Sequence, residues 1–519
     1  MDIVENRALK LRVRNADRIT EVIPKSKVIG EADGIYTVLV HWGLEETHVL
    51  KNLGIRDVPS PILGRYDWPG IYKPFDHQKT TAAFLTMNRR GFNLGEQGTG
   101  KTCATLWAID YLMTNKLIRR ALIVCPLSIM DSAWRADAFR CVMHRTIDIA
   151  YGTREKRKKV IESDAEIVII NYDGVEVVAG DIQKNNFDLI AIDEVNHFKN
   201  AQSKRWKVMN ALITPNTWVW GMTGTPASQS PTDAYGLAKL MNPASVPKFY
   251  GAFRDMVMVK ITQFKYIPKH GAEDTVHKVL QPAIRFTKED CLDLPEVMYQ
   301  TRNVPLTPQV QRYYRILRDQ MLMEAAGEQI SAVNAAAKLS KLLQISGGAV
   351  YSDDKEVIEF DVSPRLSTLM EVIEETTNKV LVFVPFRHTI EMVSKFLKEQ
   401  GVSNEVINGD VSASNRADII NRFQSNENPR VLVIQPQAAS HGVTLTAADT
   451  VVFWSPVMSV ETYLQCIARI DRVGQKNSMT VVHLQGSDVE KKIYDMLENK
   501  VDMHTALVDL YKQELGIGK

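Results

Sequence analysis

The chain has 519 residues, 45% hydrophobic and 24% charged, an ordinary globular composition with room for two or three domains. A net charge of +2 does not announce a nucleic-acid binder, although a basic groove can exist locally. Five scattered cysteines without a CxxC pair suggest neither a disulfide framework nor zinc, and no apolar run approaches the ~18–20 residues of a membrane span. The opening MDIVENRALKLRVRN lacks a signal-peptide core, so a soluble, cytoplasmic protein is expected.

In chain order, residues 1–70 read as a small β-rich accessory module and linker. LKLRVRN (9–15) alternates apolar and basic residues, and GIYTVLVHWG (34–43) is β-branched and aromatic, so both read as strands. Lys10, Arg12 and Arg14 form one basic strand face, either a DNA contact or the charged guard of an edge strand. Trp42 and Trp68 read as packing residues. VPSPILGRYDWPG (58–70) is rich in Pro and Gly and reads as the linker.

From residue 71 short apolar runs alternate with helical patterns. ALIVCP (121–126), EIVIINYD (166–173), DLIAIDE (188–194) and TWVWGMTGTP (217–226) form one series. KVLVFVPF (379–386), RVLVIQPQ (430–437), DTVVFWSP (449–456) and MTVVHLQ (479–485) form another. Runs without alternation suit strands buried on both faces, the mark of parallel sheets covered by helices. HTIEMVSKFLKEQG (388–401) predicts a helix with Ile390, Val393 and Leu397 on one face and Gly401 past its end. SAVNAAAKLSKLLQI (331–345) reads as helix and SGGAVYSDDKE (346–356) as loop. The expected architecture is α/β, two tandem RecA-like parallel-sheet lobes with helical insertions. Lobe one spans 71–295, a helical insertion and linker 296–362, and lobe two with a C-terminal helix 363–519.

FNLGEQGTGKT (92–102) holds G-x-x-x-x-G-K-T from Gly95 to Thr102, after a short strand and before a helix, as a phosphate-binding loop requires. Backbone N–H groups around Gly95, Gly98, Thr99 and Gly100 close on phosphate oxygens, with the positive helix end behind them. Lys101 reaches the β/γ-phosphates and Thr102 offers its hydroxyl to Mg²⁺. About ninety residues on, the apolar run LIAI stops at Asp193 and Glu194. Strand ends are where open α/β sheets place their ligands. Adjacent carboxylates repel unless a cation is near, so Asp193 reads as a Mg²⁺ ligand and Glu194 as the group that orients or deprotonates water. In YLQCIARIDRVGQ (463–475), if helical, Arg469 and Arg472 share a face and can meet a γ-phosphate.

These motifs, in this order, resemble the Swi/Snf family of superfamily-two helicase-type ATPases, which translocate on double-stranded DNA. The resemblance covers roughly residues 71–500. KPFDHQKTTAAFL (73–85) is similar to the adenine-reading segment and puts Gln78 on the base. LIVCPLSIMDSAW (122–134), IINYDGV (169–175), DEVNHFKNAQSKRWKVMNAL (193–212) and MTGTPASQSP (222–231) follow, then IRFTKEDCLDLP (284–295), NGDVSASNRADIINRFQ (408–424), AASHGVTLTAAD (438–449) and QCIARIDRVGQ (465–475). The Gly474-Gln475 ending favours this family over RNA helicases. The chain departs from the pattern at Asn196, where His is usual and His197 is displaced by one, and at Ala468 and Asp471, where Gly and His are usual.

The resemblance implies ATP and Mg²⁺ in a cleft between the lobes, with Gly442, Arg469 and Arg472 supplied by lobe two. It implies DNA backbone contacts at Ser128, Tyr172 and Thr444, and coupling between nucleotide and DNA through Asn196, Thr223, Thr225 and Gln465. Asn196 is expected to keep a hydrogen-bonded link without a proton switch, and His197 to be a surface or packing residue. Expected partners are double-stranded or branched DNA, with replication or recombination proteins at residues 1–70, and no membrane or zinc. A monomeric, compact bacterial or phage enzyme is expected. A strand-separating DNA or RNA helicase is the alternative enzyme, and a nucleotide-gated loading module with little turnover the non-enzymatic one.

Overall fold

The computed structural model describes residues 1–519 except 228–229, 263–265, 292–294, 326–331, 352–356, 440–442, 473, 500–505, 508–509 and 511–519. The chain divides into two compact units. One is Met1–Pro226 with Thr232–Cys291, the other Leu292–Lys519 with Ala227–Pro231.

The first unit opens with a four-stranded antiparallel sheet, β1 (Asp2–Val4), β2 (Ala8–Val13), β3 (Ser26–Ala32) and β4 (Ile35–His41), in the order β1-β2-β4-β3. Leu9, Leu11, Val38 and Val40 alternate onto one face and pack with Ile19, Ile23, Trp42 and Leu50. β1 pairs with Ala8–Lys10 only, so Lys10 lies between two strands, while Arg12 is paired on the β4 side alone and Arg14 follows the end of β2. Residues 58–72 are a packed belt rather than a free linker. Trp42 Nε1 donates to Pro59 O, Ser60 Oγ meets Thr86 Oγ1 and Trp107 Nε1 donates to Pro69 O. The backbone N–H of Ile71 donates to Arg140 O. Tyr66 donates to the buried Asp110 of helix Lys101–Thr114.

A seven-stranded sheet follows: β5 (Arg90–Asn93), β6 (Ala121–Cys125), β7 (Ile147–Ala150), β8 (Ile167–Asn171), β9 (Leu189–Ile192) and β10 (Trp218–Met222). After a short hairpin, β11 (Met258–Lys260) and β12 (Tyr266–Pro268), the seventh strand is β13 (Ala283–Ile284). The order is β13-β5-β10-β9-β6-β8-β7 and every pairing is parallel. Helices cover both faces, and two apolar cores result.

The second unit holds a six-stranded parallel sheet. β14 (Val297–Asn303) forms one edge. A small antiparallel pair, β15 (Ala349–Tyr351) and β16 (Val357–Glu359), comes next in the chain. Then come β17 (Lys379–Phe383), β18 (Asn404–Ile407), β19 (Val431–Ile434), β20 (Ala448–Phe453) and β21 (Met479–Gln485). The sheet order is β14-β21-β20-β17-β19-β18.

Two expectations change. β14 joins this sheet from within the segment read as helical insertion, and β15 lies in the stretch read as loop, after helix Ala332–Gly347. The helix expected over 388–401 is Arg387–Glu399, with Ile390, Val393 and Leu397 buried. Gly401 follows at φ +74°, and the N–H of Val402 returns to Leu397 O to close the end.

Candidate nucleotide site and its neighbours

β5 and the helix Lys101–Thr114 flank the phosphate loop. Gly98 and Gly100 take left-handed φ of +88° and +78°. A Cβ on Gly100 would run into Gln78 Nε2, so glycine is required there both for the backbone turn and for the approach of Gln78. Gln78 Oε1 accepts from Phe75 N at 3.0 Å and Nε2 donates to Thr99 O at 3.3 Å; His77 Nε2 lies 2.8 Å from the same carbonyl. Gln78 therefore braces the loop, with one N–H and one lone pair left for a base. Thr99 Oγ1 donates to Glu96 O, and Lys101 Nζ lies across the loop, donating to Gly95 O at 2.8 Å and Glu96 O at 3.1 Å. Thr102, half-buried, is the second residue of the helix. Residues 282–286 run beside β5 and the loop: Leu94 N bonds Ile284 O and Glu96 N bonds Phe286 O.

β9 is buried along its length and delivers Asp193 and Glu194 at its C-terminal end. Asp193 Oδ1 accepts from the N–H of Glu194 at 3.0 Å, and Oδ2 from Trp134 Nε1 at 2.8 Å. Burial pushes the Asp193 carboxyl up, while the Lys101 charge and these two donors pull it down. Glu194 sits at φ +46°, a left-handed conformation uncommon for a side-chain-bearing residue and typical of strained functional sites. Thr223, fully buried at the end of β10, donates from Oγ1 to Glu194 Oε2 at 3.3 Å and accepts from Thr225 N at 3.2 Å. Gly224 abuts Gln97 of the loop. Thus Gln78, the loop, Asp193, Glu194, Thr223 and Thr225 converge at one end of one sheet. Asn196 is buried in the turn Val195–Phe198, while His197 is exposed with its ring 4.8 Å from that of Tyr172.

The site fits a magnesium-bound phosphate chain. The buried atoms Asn93 Nδ2, Gln97 Oε1 and Thr225 Oγ1 in and beside the loop meet no hydrogen-bond partner among the described residues, which suits a polar ligand. The candidate metal donors, Thr102 and Asp193, are oxygen only, as a hard cation with retained waters prefers.

Tyr172 does not fit a DNA phosphate contact through its side chain. It is buried, and its hydroxyl donates to Asp193 O at 2.6 Å. Burial next to Asp193 and Glu194 keeps that hydroxyl protonated. Ser128 lies in the turn Leu127–Ile129, and its Oγ meets no hydrogen-bond partner among the described residues.

In the second unit Arg469 and Arg472 are not on a helix. Helix Val460–Ile467 ends at Ala468, and i→i+3 bonds from Arg469 N to Cys466 O and Ile470 N to Ile467 O tighten the chain into turns. The turns still bring both guanidinium groups to one carbonyl, Val443 O, at 3.1 Å each, and Arg472 Nη1 also donates to Thr444 Oγ1 at 3.0 Å. Thr444 is thereby tied to an arginine. Gln465 is buried; its carbonyl accepts from Arg469 Nε at 2.7 Å. Ala468 takes φ −63°, ψ 0°, a conformation that needs no glycine. Gly442 lies outside the described residues.

Sequence reasoning missed Trp134 as a partner of Asp193 and Asp110 as the anchor of the N-terminal belt. Trp134 closed a quoted motif, but an indole reads as core until its N–H is seen to meet a carboxylate. Asp110 inside the apolar helix CATLWAIDYL was the available signal, since a charge buried there needs partners.

Two parallel α/β units, one with a phosphate loop and a strand-end acid pair, define the core of a helicase-type ATPase. Residues 77–347 match the SNF2-related domain and residues 364–474 the helicase conserved C-terminal domain. The chain belongs to the SNF2-related family. It is 24% identical over 447 residues to chromodomain-helicase-DNA-binding protein 1-like of Danio rerio, covering 81% of this chain and 42% of that protein. It is also 24% identical over 445 residues to putative protein p41 of Acyrthosiphon pisum secondary endosymbiont phage 1, covering 80% and 94%. Among solved structures, the Sulfolobus solfataricus SWI2/SNF2 ATPase core in complex with dsDNA aligns at 21% identity and a TM-score of 0.42, over 87% of this chain and 96% of that one. The chain spans less than half the length of the first curated relatives it matches. Among the described residues no helix is long and apolar enough to cross a membrane.

Proposed function

We propose that this chain is a nucleic-acid-stimulated ATPase that translocates on double-stranded DNA and spends the ATP cycle on remodelling it. The observation that supports this reading is the meeting of Lys101, Asp193, Glu194 and Thr223 at one end of a single parallel sheet, in a member of the SNF2-related family. Lys101 and the loop N–H groups bind the phosphates, exchanging the loop carbonyls for a stronger charged partner. Thr102 and Asp193 hold Mg²⁺, which neutralises phosphate charge when bound. Glu194 orients the attacking water and takes its proton, and Thr223 donates to one of its carboxylate oxygens. Arg469 and Arg472 stabilise charge on the transferring phosphoryl group.

On the DNA side, Ser128 and Thr444 contact the backbone, and contacts of this kind position without reading sequence. Asn196, Thr223, Thr225 and Gln465 pass nucleotide state to those contacts. The finer uses we propose are branch migration, fork remodelling or protein displacement. Residues 1–70 would engage replication or recombination partners, and the chain would act as a cytoplasmic monomer.

ATPase rates on duplex, single-stranded, forked and Holliday-junction DNA and on RNA test the reading. Duplex or branched DNA is expected to stimulate most, and Lys101→Ala and Glu194→Gln to abolish turnover in a folded protein. A strong preference for RNA would transfer the chain to the strand-separating helicases. Absence of any nucleic-acid stimulation would make it a nucleotide-gated binding module.

A further inference from the structure

The carboxylate of Asp193 is held at both oxygens. The N–H of Glu194 reaches Oδ1 and the indole N–H of Trp134 reaches Oδ2. The first donor is part of the same turn and moves with it. The second comes from 59 residues away and is an independent constraint on how the carboxylate plane is turned. Trp134 is fully buried, so its ring cannot swing away to solvent. An indole donates and never accepts, so Oδ2 meets Trp134 only as an acceptor.

The local backbone is built around that reach. Trp134 lies on a π-helical turn, Met130–Arg135, between the 3₁₀ turn Leu127–Ile129 and helix Ala136–Cys141. π-turns are rare and frequently found at functional sites. Tyr172 donates to the Asp193 carbonyl, so the backbone and the carboxylate of one residue are held by two separate segments.

We propose that Trp134 is a positioning residue for the cation-binding carboxylate of Asp193, presented to it by the π-helical turn. This rests on the reading of Asp193 as a magnesium ligand. Groups that hydrogen-bond a metal ligand from outside typically carry about 10–100-fold in metal affinity or activity. A residue that only fills the core would carry none of the magnesium dependence.

The test is equilibrium binding of a fluorescent ATP analogue, titrated with Mg²⁺ and repeated in EDTA, so no turnover is needed. Two variants remove the donor: Trp134→Phe, and full-length protein with benzothienylalanine at 134, which keeps the shape of the ring and replaces N–H by sulfur. Both are expected to bind the analogue in EDTA as the wild type does and to need about tenfold more Mg²⁺ for half-saturation. Asp193→Asn is the reference. If Asp193→Asn leaves the Mg²⁺ dependence unchanged, the ligand reading itself is wrong. If Asp193→Asn loses it while the benzothienyl variant matches wild type, the proposal for Trp134 is overturned alone. The benzothienyl variant decides the matter should Trp134→Phe fail to fold.

Discussion

Replacing Tyr66 by Phe probes how the N-terminal belt is fastened to the nucleotide-binding unit. The Tyr66 hydroxyl donates to Asp110 Oδ2 at 2.6 Å, and Asp110 is 1% exposed within the helix that follows the phosphate loop. A hydrogen bond to a charged group is worth about 1.5–3 kcal/mol net. The lower end applies here, because Asp110 keeps Arg145 at 2.6 Å and His144 at 2.8 Å on its other oxygen. The ring itself stays packed edge-on against Trp68 and Tyr111. Tyr66→Phe should therefore cost about 1.5 kcal/mol, lowering the melting temperature of the first unit by roughly 3–5 °C. Differential scanning calorimetry reads this, with the first unit identified as the transition that Mg-ATP raises. Asp110→Ala should cost more, about 2–3 kcal/mol, since Tyr66, His144 and Arg145 all lose an acceptor there while Arg145 keeps Glu166 at 2.6 Å. A Tyr66→Phe transition within about 1 °C of wild type, outside that range, would mean that the belt is held by apolar packing alone.

Gly100→Ala meets a left-handed backbone and the amide of Gln78 together. A strain of about 1–2 kcal/mol should weaken binding of a fluorescent ATP analogue by about tenfold with unchanged circular dichroism, and unchanged affinity would show that the loop relaxes freely. In the second unit, Glu490 is fully buried and accepts from Arg365, Ser346 and the N–H groups of Gly486 and Ser487. Glu490→Ala strands the Arg365 charge and should cost about 3–5 kcal/mol in urea unfolding; a loss under about 1 kcal/mol would refute an ion pair that matters. Burial holds the His483 imidazole down at about 4, with Tyr463 OH at its Nε2, Glu498 at its Nδ1 and the rings of Tyr299 and Tyr494 around it. Unfolded histidine titrates near about 6.5, so below that pH the unfolded chain takes a proton the folded chain refuses. Stability carried by neutral His483 is thus complete above about pH 6.5 and lost as pH falls toward 4, by up to about 3 kcal/mol. Unfolding of wild type and His483→Gln at pH 7, 6 and 5 should show the pH-dependent gap between them; parallel curves would contradict it.

Interior strands were legible because both faces of each are covered. β6, β8, β9, β10, β17, β19, β20 and β21 correspond to the eight apolar runs. The four edge strands, β7, β13, β14 and β18, escaped. Only one side of each is paired, so Asp148, Arg302 and Glu405 are tolerated and the apolar signal fades. The phosphate loop and the acid pair were equally legible, since glycine spacing and a carboxylate pair at a strand end are local facts about backbone freedom and charge.

Partnership is not local. Trp134 and Asp193 stand 59 residues apart, Tyr66 and Asp110 stand 44 apart, and Thr223 and Glu194 stand 29 apart. Nothing in the spacing of such pairs announces the bond, because a parallel sheet gathers strand ends that are distant in the chain. The same holds for Arg469 and Arg472. Their three-residue spacing suggested one helix face, yet the chain leaves the helix first and the turns bring both to Val443 O. Asp193 and Glu194, read first as a strand running into two acids, are chemically defined by composition alone. How each carboxylate is turned, and by which side chains, is set by segments that meet only when the sheet has formed.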